Sequence, residues 1–266
     1  MTSATVDVWS AGDAYERYIG RWSRPVASEF LEWLRRPDGT SWLDVGCGTG
    51  ALSESILQRA RPKRIEGIDL SASYLMLAKR RLTTAGVRLI MSRAQQLPIR
   101  DAAVDTVVSG LALNFVPMPQ EVVAEMTRVV RRNGVVGVYV WDYAGKMQLI
   151  RHFWDAAIAL DPDAAAMDEG RRFPLCDPDQ LEALFRNAGL DQVETRPIDV
   201  PTPFVDFADY WSPFLGGQGP APGYLMTLSE ERRARLRDTL RRALPVDHDG
   251  SISLTARAWA VRGIRR

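Results

Sequence analysis

The sequence predicts an α/β fold built on a doubly wound, mostly parallel sheet. Two observations carry that prediction. Between residues 41 and 141, short apolar runs alternate with amphipathic helical segments, the rhythm of strand–helix–strand units. Some runs, such as Ala103–Ser109, are apolar almost without interruption, as strands covered on both faces are.

Ser23-Arg24-Pro25 reads as a helix start, with Ser23 as N-cap and proline in the first turn. Val26, Phe30, Trp33 and Leu34 follow at helical spacing, and Pro37-Asp38-Gly39-Thr40 ends that helix as a turn. Strands are expected at Ser41–Val45, Arg64–Asp69, Val87–Met91, Ala103–Ser109 and Val135–Trp141. Helices separate them around Leu52–Arg59, after a cap at Ser71 with Leu75, Ala78 and Leu82 on one face, and over Glu121–Arg131. Later the pattern changes. Gly145–Phe173 is helical and alanine-rich, Asp177–Gly189 is a helix closed by Gly189, and Gln192–Val200 is a strand. Pro201–Gly250 reads as an insertion holding a Pro/Gly loop (Ser212–Gly223) and a basic helix (Ser229–Leu244), before a last strand at Ile252–Val261.

Composition narrows the function. The 266 residues are 46% hydrophobic and 25% charged, with a formal charge of +1, so no global field recruits nucleic acid or an anionic membrane. No apolar run approaches the roughly 20 residues of a membrane span. Met1–Asp7 has neither the basic start nor the apolar stretch of a secretory signal, so a cytoplasmic location is expected. Two cysteines, Cys47 and Cys176, exclude a disulfide scaffold and a cysteine-rich zinc site. His152 and His248 stand in no carboxylate cluster of metal-ligand spacing, so no metal is expected.

The strongest local signal is Leu43-Asp44-Val45-Gly46-Cys47-Gly48-Thr49-Gly50, a strand running into a glycine turn and then a helix. Such a turn lets backbone N–H groups approach a ligand with no side chain between. Gly46, Gly48 and Ala51 fit G-x-G-x-x-A, and Asp69 stands nineteen residues beyond Gly50, where a ribose-binding acid belongs. That spacing also fits a nicotinamide dinucleotide. Charge separates the two: Asp44 at the mouth of the turn would repel a pyrophosphate and attract a cationic amine or sulfonium.

Leu43–Gly50 resembles the first motif of class I S-adenosylmethionine-dependent methyltransferases, and Gly67-Ile68-Asp69-Leu70-Ser71 resembles their second. Ala94–Ile99, Val104–Ser109 and Glu125–Gly134 resemble the later motifs in order, over about residues 40–142. The likeness is to the type 11 branch, which holds the ubiquinone and menaquinone C-methyltransferases.

The resemblance implies one Rossmann-like domain over residues 1–266, its seven-stranded sheet ending in an antiparallel strand. Residues 1–40 would be cover helices, 41–142 the cofactor half, and 143–266 a substrate half with helical cap insertions at about 145–175 and 201–250. It further implies S-adenosylmethionine as cofactor, S-adenosylhomocysteine as product and a small molecule as acceptor. Asp44 would orient the methionine amine, with Leu111 offering a backbone carbonyl. Gly46, Cys47, Gly48 and Gly50 would cradle the methionine and ribose. Asp69 would take the ribose hydroxyls, Leu70 would pack on adenine, and Ala94 and Gln95 would meet its edge. Arg93 departs from the family's frequent Asp and has no acceptor atom. Tyr18 and Arg21 would reach the methionine carboxylate.

Tyr15, Trp141, Trp154 and Trp211 are candidates for the substrate cavity, because ligands of open α/β sheets bind beyond the carboxyl ends of strands. His152 and Tyr143, with Asp142 and Tyr15, are candidates for a base that deprotonates the acceptor. The missing (Asn/Asp)-Pro-Pro-(Tyr/Phe) run after the fourth strand counts against a nucleic-acid base or amide acceptor. Two rival readings stand beside methyl transfer. One is a nicotinamide-dependent oxidoreductase, disfavoured by Asp44 and the lack of a Tyr-x-x-x-Lys pair; the other is a non-catalytic protein that binds S-adenosylmethionine.

Overall fold

The computed structural model describes residues 16–217 and 219–266; the candidate Tyr15 lies outside the described residues. A π-helical turn, Glu16–Gly20, leads directly into α1 (Arg21–Leu34). Then follow β1 (Ser41–Val45), α2 (Ala51–Arg59), β2 (Arg64–Asp69), α3 (Ala72–Arg81), β3 (Val87–Met91), β4 (Val104–Gly110), α4 (Pro119–Val129) and β5 (Val130–Trp141). The later chain holds α5 (Gln148–Leu160), α6 (Glu169–Arg172), α7 (Pro178–Asn187), β6 (Leu190–Phe204), α8 (Phe207–Trp211), α9 (Pro220–Thr227), α10 (Glu230–Ala243) and β7 (Ile252–Arg265).

The contacts divide the chain into two compact units. The sheet unit comprises Ser23–Trp141, Leu175–Ile198 and Ala258–Arg266; the helix-rich unit comprises the described residues of Met1–Trp22, Asp142–Pro174 and Asp199–Arg257.

In the sheet unit the strand order is β3-β2-β1-β4-β5-β7-β6. β1 pairs in parallel with both β2 and β4, β2 with β3, and β4 with β5, while β7 lies antiparallel to β5 with Val138 opposite Val261. Every residue of β1 is buried, including Asp44, which explains why its sequence lacks alternation. The chain leaves β1 toward β2 on one side, and β4 takes the other, so a crevice opens at the carboxyl ends of β1 and β4.

The helix start expected at Ser23 is corrected: α1 begins at Arg21 and Ser23 lies inside it. The π-helical turn supplies the upstream hydrogen bonding, and Pro25 deprives only the Arg21 carbonyl of a partner. α1 buries Val26, Ala27, Phe30, Leu31 and Leu34. The Phe30 ring lies 4.7 Å from that of Tyr139, tilted by 52°, and a side chain at Gly137 would meet Phe30 at 2.9 Å and Leu34 at 3.0 Å. The helix therefore runs against β5, and its first turn, with Ser23, lies toward that strand's carboxyl end. Ser71 caps α3 as expected, accepting from the Tyr74 N–H at 3.3 Å.

The helix-rich unit has an aromatic interior. Phe153 stacks on Phe214 at 4.7 Å and 12°, and Tyr18, Trp154 and Tyr210 are fully buried. The loop expected over Ser212–Gly223 is corrected: it folds into a 3-10 turn, Ser212–Gly216, and α9. Gly219 turns the chain at φ +88° and Pro220, with its φ already helical, opens the helix. α10 buries Leu236 and Leu240 and keeps Arg232, Arg235, Arg237, Arg241 and Arg242 exposed, while Arg233 is half-buried. No helix among the described residues is long and apolar enough to cross a membrane.

Candidate functional site

The glycine turn stands where β1 ends. Gly46 and Cys47 donate their N–H groups to the Ile68 carbonyl at 2.7 and 3.0 Å, tying the turn to β2. Gly48 has φ +53°, yet an added Cβ there would find no atom within 4 Å. Packing therefore does not demand glycine at this position; the backbone conformation and an open approach do. The Gly48 N–H donates to Asp69 Oδ2 at 2.9 Å and the Ser71 N–H to Asp69 Oδ1 at 2.8 Å. The carboxylate at the end of β2 is thus held in place, with lone pairs left for a ligand.

Asp44 is fully buried. Its Oδ2 accepts from Ser53 Oγ at 2.7 Å, and its Oδ1 has no partner among the described residues. Burial pushes its carboxyl from 3.8 up to about 7, with the Asp69 charge adding to the rise and the Ser53 hydrogen bond opposing it. A cation at Oδ1 would restore the charged form. Burial also pushes the Cys47 thiol up, and its Sγ would lie 3.0 Å from a side chain at Gly67, so it packs and does not react.

Along the same edge, Leu70 and Met91 are large apolar side chains left 64% and 63% exposed at the carboxyl ends of β2 and β3. Ala94 is half-buried. Gln95 Nε2 donates to the Pro117 carbonyl at 2.9 Å, which leaves its Oε1 as an acceptor where the neighbouring Arg93 has none. Leu111 is buried with φ +57°, a strained conformation of the kind that gathers at ligand sites, and its N–H donates to the Tyr139 carbonyl at 2.8 Å. Beyond it, Asn114 Nδ2, Trp141 Nε1 and Ser23 Oγ are buried without partners among the described residues. The sheet unit therefore gathers Asp44, Gly46, Cys47, Gly48, Gly50, Asp69, Leu70, Ala94, Gln95, Leu111 and Trp141 along its carboxyl edge. Ser23 and Asn114, whose buried polar atoms have no partner among the described residues, had no ligand role in the sequence reading. The only available signal for Asn114 was a polar amide directly after a buried strand.

The remaining candidates belong to the helix-rich unit. Arg21 uses the fork expected for a carboxylate on Asp209, at 2.8 and 3.1 Å, and on the Pro203 carbonyl at 3.0 Å. Tyr18 packs edge-on to Phe214; burial, then the nearby Glu169 carboxyl, holds its hydroxyl well above its ordinary range. Asp142 accepts the Gly145 and Lys146 N–H groups, both at 2.9 Å, and so builds a turn. Tyr143 is buried 5.8 Å from the Phe173 ring. His152 is half-buried, which lowers its pKa and leaves a neutral imidazole at pH 7. Trp211 stacks on Phe207. Trp154 Nε1 donates to Glu169, a fully buried acid that sequence reasoning missed; burial pushes its carboxyl up to about 8. Among the described residues no cluster of three or more His, Cys, Asp or Glu side chains could hold a metal ion.

Residues 43–138 match the family described as a methyltransferase domain. The malonyl-[acyl-carrier protein] O-methyltransferase of Serratia marcescens is 31% identical over 162 residues, 58% of this chain and 62% of its own length, so the chain spans less than two thirds of that relative. The demethylmenaquinone methyltransferase of Geobacillus stearothermophilus is 26% identical over 211 residues, 73% of this chain and 87% of its own. Phosphoethanolamine N-methyltransferase 2 of Haemonchus contortus, solved with phosphomonomethylethanolamine and S-adenosylhomocysteine, shares the fold with a TM-score of 0.60. It is 15% identical, and the match covers 96% of this chain and 57% of that one.

Proposed function

We propose that the chain, whose residues 43–138 match a methyltransferase domain, is a class I S-adenosylmethionine-dependent methyltransferase that methylates a small-molecule acceptor in the cytoplasm, leaving S-adenosylhomocysteine. The observation that carries the reading is Asp44, a buried carboxylate with one oxygen unpartnered among the described residues, beside an open glycine turn. A pyrophosphate at that oxygen would place like charges together in a dry site; an ammonium would neutralise it. When bound, S-adenosylmethionine supplies a methyl group on a sulfonium, already activated for transfer.

The chain's own residues bind and orient. Asp44 takes the methionine ammonium, the Gly46–Gly50 backbone admits the thioether and ribose, and Asp69 accepts the ribose hydroxyls. Leu70 covers one face of adenine, while Gln95 Oε1 accepts from its amino group in place of the acid that Arg93 lacks. His152, held neutral, is the group proposed to take a proton from a protic acceptor, with Tyr143 as the alternative. Trp141, at the end of β5, favours an apolar or aromatic acceptor, and the near-zero net charge favours one other than nucleic acid.

Calorimetry with S-adenosylhomocysteine and NAD tests the cofactor, and labelled methyl transfer to a metabolite panel tests the reaction. Binding of S-adenosylhomocysteine without NAD is expected. NAD binding with no response to S-adenosylhomocysteine would overturn the reading in favour of an oxidoreductase.

A further inference from the structure

Three buried polar atoms without partners among the described residues stand at or just after the carboxyl ends of β1, β4 and β5, which are adjacent in the sheet unit. Asp44 Oδ1 lies near the end of β1, Asn114 Nδ2 in the 3-10 turn directly after β4, and Trp141 Nε1 on the last residue of β5. The Leu111 N–H bond to Tyr139 holds the exit of β4 beside the end of β5. A fourth atom, Ser23 Oγ, is carried toward the same end by α1. A buried donor left without an acceptor is costly, so a cluster of them at one edge asks for a ligand.

The types of these atoms define that ligand. Asp44 Oδ1 only accepts when ionised, Asn114 Nδ2 and Trp141 Nε1 only donate, and the serine hydroxyl does either. The complement is a cationic N–H group next to an oxygen acceptor, which is the ammonium-and-carboxylate end of an amino acid. Arginine is the usual partner for such a carboxylate, but Arg21 spends both terminal nitrogens on Asp209 and Pro203. Arg24, at the start of α1, pairs with Glu54 at 2.9 Å.

We propose that Asn114 and Trp141, with Ser23, hold the methionine α-carboxylate through neutral donors while Asp44 holds the α-ammonium. This rests on the cofactor reading above and extends it to residues for which the sequence motifs gave no such role. The same donors could serve an oxygen of the methyl acceptor instead; the two sources are separable by experiment.

The probes are S-adenosylhomocysteine and 5′-methylthioadenosine, which shares the adenosine and thioether but lacks the amino-acid end. Calorimetry compares both ligands on the wild type, Asn114→Leu, Trp141→Phe and Ser23→Ala, with circular dichroism confirming that each variant is folded. Each lost charge-assisted bond is expected to weaken S-adenosylhomocysteine about tenfold or more, with 5′-methylthioadenosine held within about twofold. Equal losses for both ligands would overturn the proposal, since the residues would then act on the adenosine end or on the fold. Unchanged S-adenosylhomocysteine affinity would also overturn it and assign the donors to the acceptor. Loss of that affinity in Arg21→Gln alone would return the carboxylate to arginine. A wild type that binds neither ligand would remove the cofactor reading itself.

Discussion

Glu169→Gln probes the aromatic interior of the helix-rich unit through one proton. In the folded chain, burial raises the Glu169 carboxyl from 4.5 to about 8, against the pull of its own N–H and those of Trp154 and Ala221. The unfolded chain releases the proton near 4.5, so between about 4.5 and 8 the native state binds more protons. The stability tied to that proton is fully present below about pH 4.5 and is lost as pH rises through about 8. At about 1.4 kcal/mol per tenfold change in proton affinity, the whole window is worth on the order of 5 kcal/mol. Glutamine keeps an acceptor oxygen for Trp154 Nε1 and cannot ionise. The variant should match the wild type within about 1 kcal/mol at pH 5 and exceed it by several kcal/mol at pH 9. At roughly 2–4 °C per kcal/mol for a chain of this size, the gap is readily seen by thermal or urea unfolding at pH 5, 7 and 9. Asp44, whose carboxyl shifts in the same sense, is present in both proteins and cancels in the difference. A gap between variant and wild type that stays constant across that range would refute a carboxyl held neutral by burial.

The Asp44 carboxyl, raised to about 7, must ionise to hold an ammonium, so S-adenosylhomocysteine affinity should fall about tenfold from pH 8 to pH 6. Titrations of Asp44→Asn should show weaker binding without that slope; an unaltered slope would take the titrating group elsewhere. Gly48→Ala meets no neighbour within 4 Å, so its folding cost should be only the left-handed strain of about 1–2 kcal/mol, while ligand affinity falls more than tenfold. Wild-type affinity in that variant would show that nothing approaches the turn at this point.

The sheet was legible because its signals are local. β1, β2 and β3 form over the residues expected of them: β1 is buried throughout, β2 in part, and β3, at the sheet edge, has no fully buried residue yet still carries a short apolar run. The glycine turn and Asp69 were legible for the same reason: a tight turn and a strand end each constrain a few consecutive residues. What remained hidden depends on distant partners. Arg21 finds Asp209 across 188 residues of sequence, and no spacing rule distinguishes that carboxylate from one on a ligand. Glu169 looks like any acid in a helical stretch until Trp154 and the surrounding rings remove its water. Ser23 carried a true cap signature, but the π-helical turn before it moved the helix start upstream.

The place of β7 has a consequence for how the protein is made. It follows β6 in the chain yet sits between β5 and β6, with Val135 opposite Ile264 and Trp141 opposite Ala258. During synthesis the Val135–Trp141 edge emerges long before its neighbour, and β6 has no strand to dock on until β7 arrives. A nascent chain therefore exposes an apolar, unpaired strand edge for most of the time it takes to translate residues 142–257, the condition under which chains capture one another. The pairing of β5 with β7 also closes the longest loop between paired strands of the sheet, so its formation is the natural slow step in building that sheet. Fast translation through that stretch, or a chaperone that covers the edge, would do more for the yield of native protein than any single added contact.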